Sequence, residues 1–179
     1  MLHQRLVLNT LATAAAAAPG EIQLWCAPDD GHPFLRSAAL HHGASLRVQQ
    51  GADLGARMAH AFAQALQEWR YVIIIGTDCP MLTAARLQAA VEALHEGHDA
   101  VFAPAEDGGY TLVGLARKAP QLFAGIAWGG SDVMADTRRR LRDGGLRWQE
   151  LETMWDVDRP DDYRRLLHSG LLDALPDAT

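Results

Sequence analysis

Apolar residues along this chain follow two alternating patterns. Short aliphatic and aromatic runs at 22–27, 45–49, 71–75, 100–104, 110–115 and 146–151 have strand length and composition. Between them, apolar positions recur at three- and four-residue spacing, which predicts helices over 2–18, 32–40, 53–69, 83–96, 131–142 and 160–168. Leu2, Leu6, Leu8 and Leu11 mark the first stripe, and Met58, Phe62, Ala65, Leu66 and Trp69 the third. Leu87, Val91 and Leu94 mark the fourth. Pro19-Gly20 and Gly97 stand in stop positions, Ser131 is the expected N-cap of its helix, and Pro160 occupies a first turn. Strand and helix alternate throughout, so the expected class is α/β with a mainly parallel sheet. No repeat or interior linker interrupts the alternation. Residues 1–175 are expected to form one domain and 176–179 a frayed tail.

The segment Tyr71-Val72-Ile73-Ile74-Ile75-Gly76-Thr77-Asp78-Cys79-Pro80 is the most informative. Consecutive β-branched apolar residues cannot alternate between core and solvent, so this strand is expected to be covered on both faces. Ligands of open parallel sheets sit outside the carboxyl ends of the strands, where Asp78 falls. A turn or capping role beside Pro80 is the other reading of Asp78. Glu106-Asp107-Gly108-Gly109 and Asp156-Val157-Asp158-Arg159-Pro160-Asp161-Asp162 also follow predicted strands. Three such segments at one sheet edge would line a cleft with carboxylates. Bare carboxylates repel a diphosphate, so the cleft would suit one only with a hard divalent cation such as Mg2+ between them. Asp156 and Asp158 have a competing role as caps ahead of Pro160, and each is expected to take one of the two jobs.

Gly108-Gly109 lacks two Cβ atoms where a ligand would need close backbone approach, and it equally suits a tight hairpin. Gln49-Gln50-Gly51-Ala52-Asp53 opens a helix whose free N–H groups, with Arg57, suit anionic ligand groups. Asp53 itself reads as the N-cap.

Composition narrows the field. About half of the 179 residues are apolar, enough for a sizeable core, and the net charge of −6 leaves no basic stripe for a nucleic-acid backbone. Arg138-Arg139-Arg140 would point three ways from a helix and reads as a solvated face. Cys26 and Cys79 form no C-x-x-C pair and point to a reducing compartment. The Ala-rich run at 12–18 lacks the features of a signal peptide, and no run reaches bilayer length, so a cytoplasmic protein without a membrane partner is expected. His95-Glu96-Gly97-His98 lacks zinc-site spacing, His41-His42 should diverge, and Cys79 has no histidine placed to serve as its base. Trp128, Trp148 and Trp155 read as packing residues, with Trp128 open to a second role because it lies near the predicted edge.

In order, Q-G-A-D-L-G-A-R-M (50–58), I-G-T-D-C-P-M-L (75–82), P-A-E-D-G-G-Y-T-L-V-G (104–114), 126–133 and 156–163 resemble the bacterial family called domain of unknown function 2064. That family is also labelled glycosyltransferase-like, or radical-SAM/selenodomain-associated transferase. It is similar to the GT-A class of nucleotide-diphospho-sugar transferases and to nucleotidyltransferases of the guanylyltransferase type. The resemblance implies a three-layer, Rossmann-like α/β/α sandwich binding a nucleotide or nucleotide-sugar with Mg2+ or Mn2+, and an unknown small-molecule acceptor. By motif match, Asp78 and Asp158 would be the metal ligands and catalytic residues. Gln50, Gly51, Arg57, Asp107, Gly108 and Gly109 would bind substrate, with the glycine pair against the sugar or acceptor.

Members of the family begin with a strand and a basic, glycine-containing loop that cradles the phosphates. Met1 here resembles a position inside the helix that follows, so the GT-A fold is expected to lack its first strand. A homodimer would be one way to cover the sheet surface so exposed. Three readings stand at this point: a glycosyl transferase, a nucleotidyltransferase releasing pyrophosphate, and a degenerate, non-catalytic interaction module. Without the phosphate loop, nucleotide affinity is expected to be weak. A calorimetric titration with a nucleoside triphosphate or sugar nucleotide and Mg2+ tests this, and micromolar binding would contradict it.

Overall fold

The computed structural model describes residues 2–17 and 20–176. Ala18, Pro19 and residues 177–179, on which the first helix end and most of the expected tail fall, lie outside the described residues. Helices α1 (Leu2–Ala17), α2 (Pro33–His41), α3 (Leu54–Ala65), α4 (Ala84–His95), α5 (Val133–Asp143), α6 (Pro160–Ser169) and α7 (Leu171–Ala174) alternate with strands. The strands are β1 (Gln23–Cys26), β2 (Ser45–Val48), β3 (Val72–Ile75), β4 (Ala100–Pro104), β5 (Tyr110–Leu115) and β6 (Trp148–Glu150). The class is therefore α/β, as the alternation of patterns predicts. Two compact units divide the chain: the described residues of 1–48, 76–88 and 155–179 form one, and 49–75 and 89–154 the other.

In the second unit four strands form one sheet in the order β3-β5-β4-β6. β4 and β6 pair in parallel, while β5 runs antiparallel to both β3 and β4. Three strands thus share a direction and their carboxyl ends share an edge, as expected, with β5 reversed by the hairpin. All five β4 residues are buried, and so are the five β5 residues after Tyr110. On one face Ala100, Phe102, Val113 and Leu115 pack with Phe62 of α3, Phe123, and Met134 and Leu141 of α5. The Phe62 and Phe123 rings stack with centroids 5.5 Å apart. On the other face Ile73, Val101 and Leu94 of α4 close around Gly114. This unit therefore has helix, sheet and helix layers.

β3 departs from the sequence reading. Its four residues are half-buried rather than enclosed, because β3 is the end strand of this sheet and pairs only with β5 among the described residues. α3 stops at Ala65, four residues early, since Gln67 and Glu68 N–H donate to carbonyls three residues back and tighten the chain into a turn. α5 begins at Val133 with Asp132, not Ser131, at the N-cap position. Gly97 does end α4: with φ +92° it lets His98 N–H reach the Ala93 carbonyl at 3.2 Å. α7 and a 3-10 turn at Pro120–Leu122 were not expected, because elements of four and three residues carry no periodicity.

In the first unit β1 and β2 form a parallel pair with Leu24 opposite Leu46. Val7 and Leu11 of α1 pack with Leu24, Cys26, Ala38 and Ala39. Leu6 turns instead to Trp155, Leu166 and Leu175. Serving two clusters, α1 buries Leu6, Val7, Thr10 and Leu11 instead of a narrow leucine stripe. The Arg5 guanidinium donates to the carbonyls of Leu172 (2.7 Å), Leu175 (2.8 Å) and Pro176 (3.1 Å), tying α1 to the end of α7.

A Cβ on Gly114 would stand 2.6 Å from Val101 Cγ1, 3.1 Å from Ile73 Cγ1 and 3.2 Å from Leu94 Cδ1. Gly114→Ala is expected to destabilise the fold by about 1–3 kcal/mol through overpacking, read as a lower urea midpoint.

Candidate functional site

Two irregular segments of the first unit carry the acids singled out above. Val157 N–H donates to the Asp78 carbonyl at 3.0 Å, which brings the loop after β3 beside the loop before α6. Carboxylate oxygens of Asp156 and Asp158 lie within 4.8 Å of one another. Asp78 is half-buried, and its Oδ1 would be 2.6 Å from a Cβ at position 76, so the side chain folds back over Gly76. Gly76 is thus needed for Asp78 to adopt this pose. Cys79 and Pro80 behind it are buried, and the Arg86 guanidinium holds the loop by donating to the Met81 carbonyl at 2.6 Å.

Neither Asp156 nor Asp158 caps α6. The N-cap position belongs to Arg159, and Asp162 Oδ2 accepts from the N–H of Arg159 (2.8 Å) and of Asp158 (3.3 Å). Among the described residues no hydrogen bond or ion pair reaches the exposed Asp158 carboxylate. The expectation that one of the two aspartates would be a cap is corrected: Asp162 performs that task. Its sequence signal was an acid three residues after the cap position, behind a first-turn proline.

The remaining predicted residues lie in the second unit. Asp53 is the N-cap of α3, accepting from Ala56 N–H at 2.7 Å. Gly51, with φ +145°, lets the chain double back so that its carbonyl accepts from Arg57 Nε at 3.3 Å. Gln50 is exposed beside it. The Arg57 side chain therefore props the turn that opens α3. Asp107 Oδ1 accepts from Gly109 N–H at 2.8 Å, closing the turn between β4 and β5. Gly108, with φ +95°, is pressed against the protein itself: a Cβ there would be 2.0 Å from the Ser131 carbonyl oxygen. Its own carbonyl accepts from Met134 N–H at 2.8 Å. Close backbone approach at Gly108 thus serves the start of α5, whereas a Cβ on Gly109 would meet only the Asp107 carboxylate, at 3.2 Å or more. Burial pushes the neighbouring Tyr110 hydroxyl well above its ordinary range, so it stays protonated.

Other candidates are absorbed by structure. Trp128 lies over Gly55 and meets the Tyr110 ring edge-on at 6.2 Å. Trp155 is buried under the Arg165 guanidinium, 4.5 Å from its ring centre. Trp148 packs on the sheet core and donates to Glu150. Arg138 pairs with Glu150, Arg139 with Asp136, and Arg140 donates to the carbonyls of Gln121, Ala124 and Gly125. The His41 and His42 rings do not diverge but meet edge-on at 4.9 Å. Burial, then Asp30 and Asp29, hold the Cys26 thiol above its usual range, which disfavours a thiolate.

Gly108→Ala is expected to cost about 1–3 kcal/mol or more, because a side chain at this φ is strained and meets backbone. Gly109→Ala should cost less, and the two urea midpoints measure the contrast.

The fold has relatives among solved structures. A protein of Desulfovibrio desulfuricans G20, described as a candidate nucleotide-diphospho-sugar transferase, is 29% identical, with a TM-score of 0.79 over 97% of this chain and 84% of that one. A cytidylyltransferase from Leptospira borgpetersenii serovar Hardjo-bovis is 11% identical, with a TM-score of 0.63 over 97% and 77%. Glucosyl-3-phosphoglycerate synthase from Mycobacterium tuberculosis, solved with Mn2+, uridine diphosphate and glucosyl-3-phosphoglycerate, is 14% identical, with a TM-score of 0.58 over 99% and 78%. No curated protein sequence matches this chain. No helix of the described residues is long and apolar enough to cross a membrane. Residues 10–130 match the family model described as an uncharacterized protein conserved in bacteria, DUF2064, and the chain belongs to that family.

Proposed function

We propose that this protein is a metal-dependent transferase acting on a nucleotide-diphospho-sugar, with Asp78, Asp156 and Asp158 as its acidic centre. The observation that carries the reading is the 3.0 Å bond from Val157 N–H to the Asp78 carbonyl, which holds two acid-bearing loops side by side. Likeness to the Desulfovibrio protein, over nearly the whole of this chain, supports the reaction class. The Mycobacterium synthase, which shares the fold, was solved with Mn2+ and uridine diphosphate, and this supports the class of ligand.

The donor set fits a hard cation. Oxygen-only carboxylate ligands suit Mg2+ or Mn2+, and an ion with bonds of about 2.1 Å joins oxygens up to about 4.2 Å apart. Asp156 and Asp158 oxygens, within 4.8 Å, need close by only a little to share one. Asp156 and Asp158 would hold the ion, and we assign Asp78, whose backbone carbonyl is bonded to the same loop, as a further ligand once its side chain swings away from Gly76. Held there, a cation would supply charge neutralisation for the donor's diphosphate and for the leaving group. Without it, the exposed Asp158 carboxylate would repel a diphosphate, so the same acids enforce metal dependence. For the substrate we assign Gln50, Gly51 and Arg57 to anionic groups, since the opening turn of α3 offers backbone N–H donors and a guanidinium. Gly109 is the member of the glycine pair suited to ligand approach, and Asp107 fixes its amide.

Nucleotidyl transfer is the second reading, favoured by likeness to the Leptospira cytidylyltransferase. The two reactions differ in the bond broken: sugar transfer releases a nucleoside diphosphate, and nucleotidyl transfer releases pyrophosphate. Electron paramagnetic resonance of Mn2+ with the wild type, Asp78→Ala and Asp158→Ala tests the centre. Each variant is expected to bind at least about tenfold more weakly. Equal binding in all three would leave a non-catalytic module as the better account. Product analysis with labelled donors then separates the two transfers.

A further inference from the structure

The loop that carries Asp156 and Asp158 has no secondary structure of its own, yet its backbone is anchored on both sides of Asp158. Upstream, Val157 N–H donates to the Asp78 carbonyl at 3.0 Å. Downstream, one oxygen of Asp162 accepts from the N–H groups of Asp158 (3.3 Å) and Arg159 (2.8 Å). Pro160, next along, has no N–H to offer. The adjacent Asp161 is exposed and pairs with Arg164, so the two neighbouring acids of α6 do different work. Asp162 is half-buried, and its carboxylate meets no cation among the described residues.

We propose that Asp162 is a positioning residue that holds Asp158 ready for a divalent cation; this rests on the transferase reading of Asp78, Asp156 and Asp158. Two physical effects act together. The bond to Asp158 N–H fixes the backbone from which the Asp158 side chain projects. Asp162 also supplies the acceptor that the start of α6 requires, where open N–H groups attract any nearby carboxylate. Asp158 stands one residue before the cap position, so without Asp162 its carboxylate is the nearest replacement cap. Drawn into capping, it would be lost to the cation. Asp162 thus keeps a ligand free by taking the structural role itself, as partners behind metal ligands do elsewhere.

The experiment compares Mn2+ binding, by electron paramagnetic resonance, of the full chain with its Asp162→Ala, Asp162→Asn and Asp158→Ala variants. Amide hydrogen exchange at residues 158 and 159, and thermal melts, are recorded alongside. Asp162→Ala is expected to weaken Mn2+ binding about tenfold to a hundredfold and to speed exchange at both amides. Asp162→Asn, which offers a neutral oxygen in the same place, should bind close to wild type. Three results overturn the proposal. If Asp162→Ala melts lower but binds Mn2+ like wild type, while Asp158→Ala does not, Asp162 is only a cap. If Asp162→Asn falls with Asp162→Ala, its charge acts and not its position. If the wild type itself binds no Mn2+, the transferase reading fails and the positioning role fails with it.

Discussion

Because every residue of β4 is out of water, β5 can lie beside it only where their side chains leave each other room, and that constraint organises the larger unit. Gly114, opposite Val101, supplies the room on one face, while Phe102 and Val113 fill the other against α3 and α5. Reversing β5 between two strands of the other direction also fixes a hairpin at the end of β4. That hairpin is shaped by Asp107 and by the backbone of Ser131 at the entrance to α5. The glycines of E-D-G-G-Y therefore answer first to packing and turn geometry. Any ligand contact there has to use what that geometry leaves exposed, which is the side of Gly109.

The acids divide into groups by what they satisfy. Asp53, Asp107 and Asp162 accept from backbone N–H groups that helix starts and turns leave open. Asp99, Asp136, Asp161 and Glu150 are paired with arginines. The Arg138 guanidinium beside Glu150 lowers that carboxyl's affinity for protons, as a close cation should. The Asp158 carboxylate is exposed and in neither group among the described residues, and it lies within 4.8 Å of the Asp156 carboxylate, which sets it apart from solvated surface acids such as Glu68 and Glu96. In a chain of net charge −6, an acid outside both groups and close to another is a better site candidate than an acid as such. Fold likeness alone would not supply that distinction, since one architecture hosts many chemistries.

Much of this was legible before any coordinates. The six strands and the longer helices followed from periodicity, and Gly97, Asp53 and Pro160 carried their termination and capping roles openly. The family followed from five motifs in register. Local signals succeed there because helix ends, turns and apolar stripes are decided by residues within a turn or two of each other.

What the sequence could not resolve depended on contacts between residues far apart in the chain. Val72 to Ile75 read as enclosed on both faces, but a strand's place in the sheet order is set by its partners, and β3 has one among the described residues. Gly108 read equally as open to a ligand and as part of a tight hairpin, but Ser131, distant in sequence, occupies the space a ligand would need. Asp156 and Asp158 read as one metal ligand and one cap until hydrogen-bond geometry gave the helix start to Asp162 and left the Asp158 carboxylate bare. Residue types and spacing by themselves determined the class of fold, its elements and the set of acids worth testing. Only the tertiary structure decided which of those acids already have a partner, because that is settled by what folds against each of them.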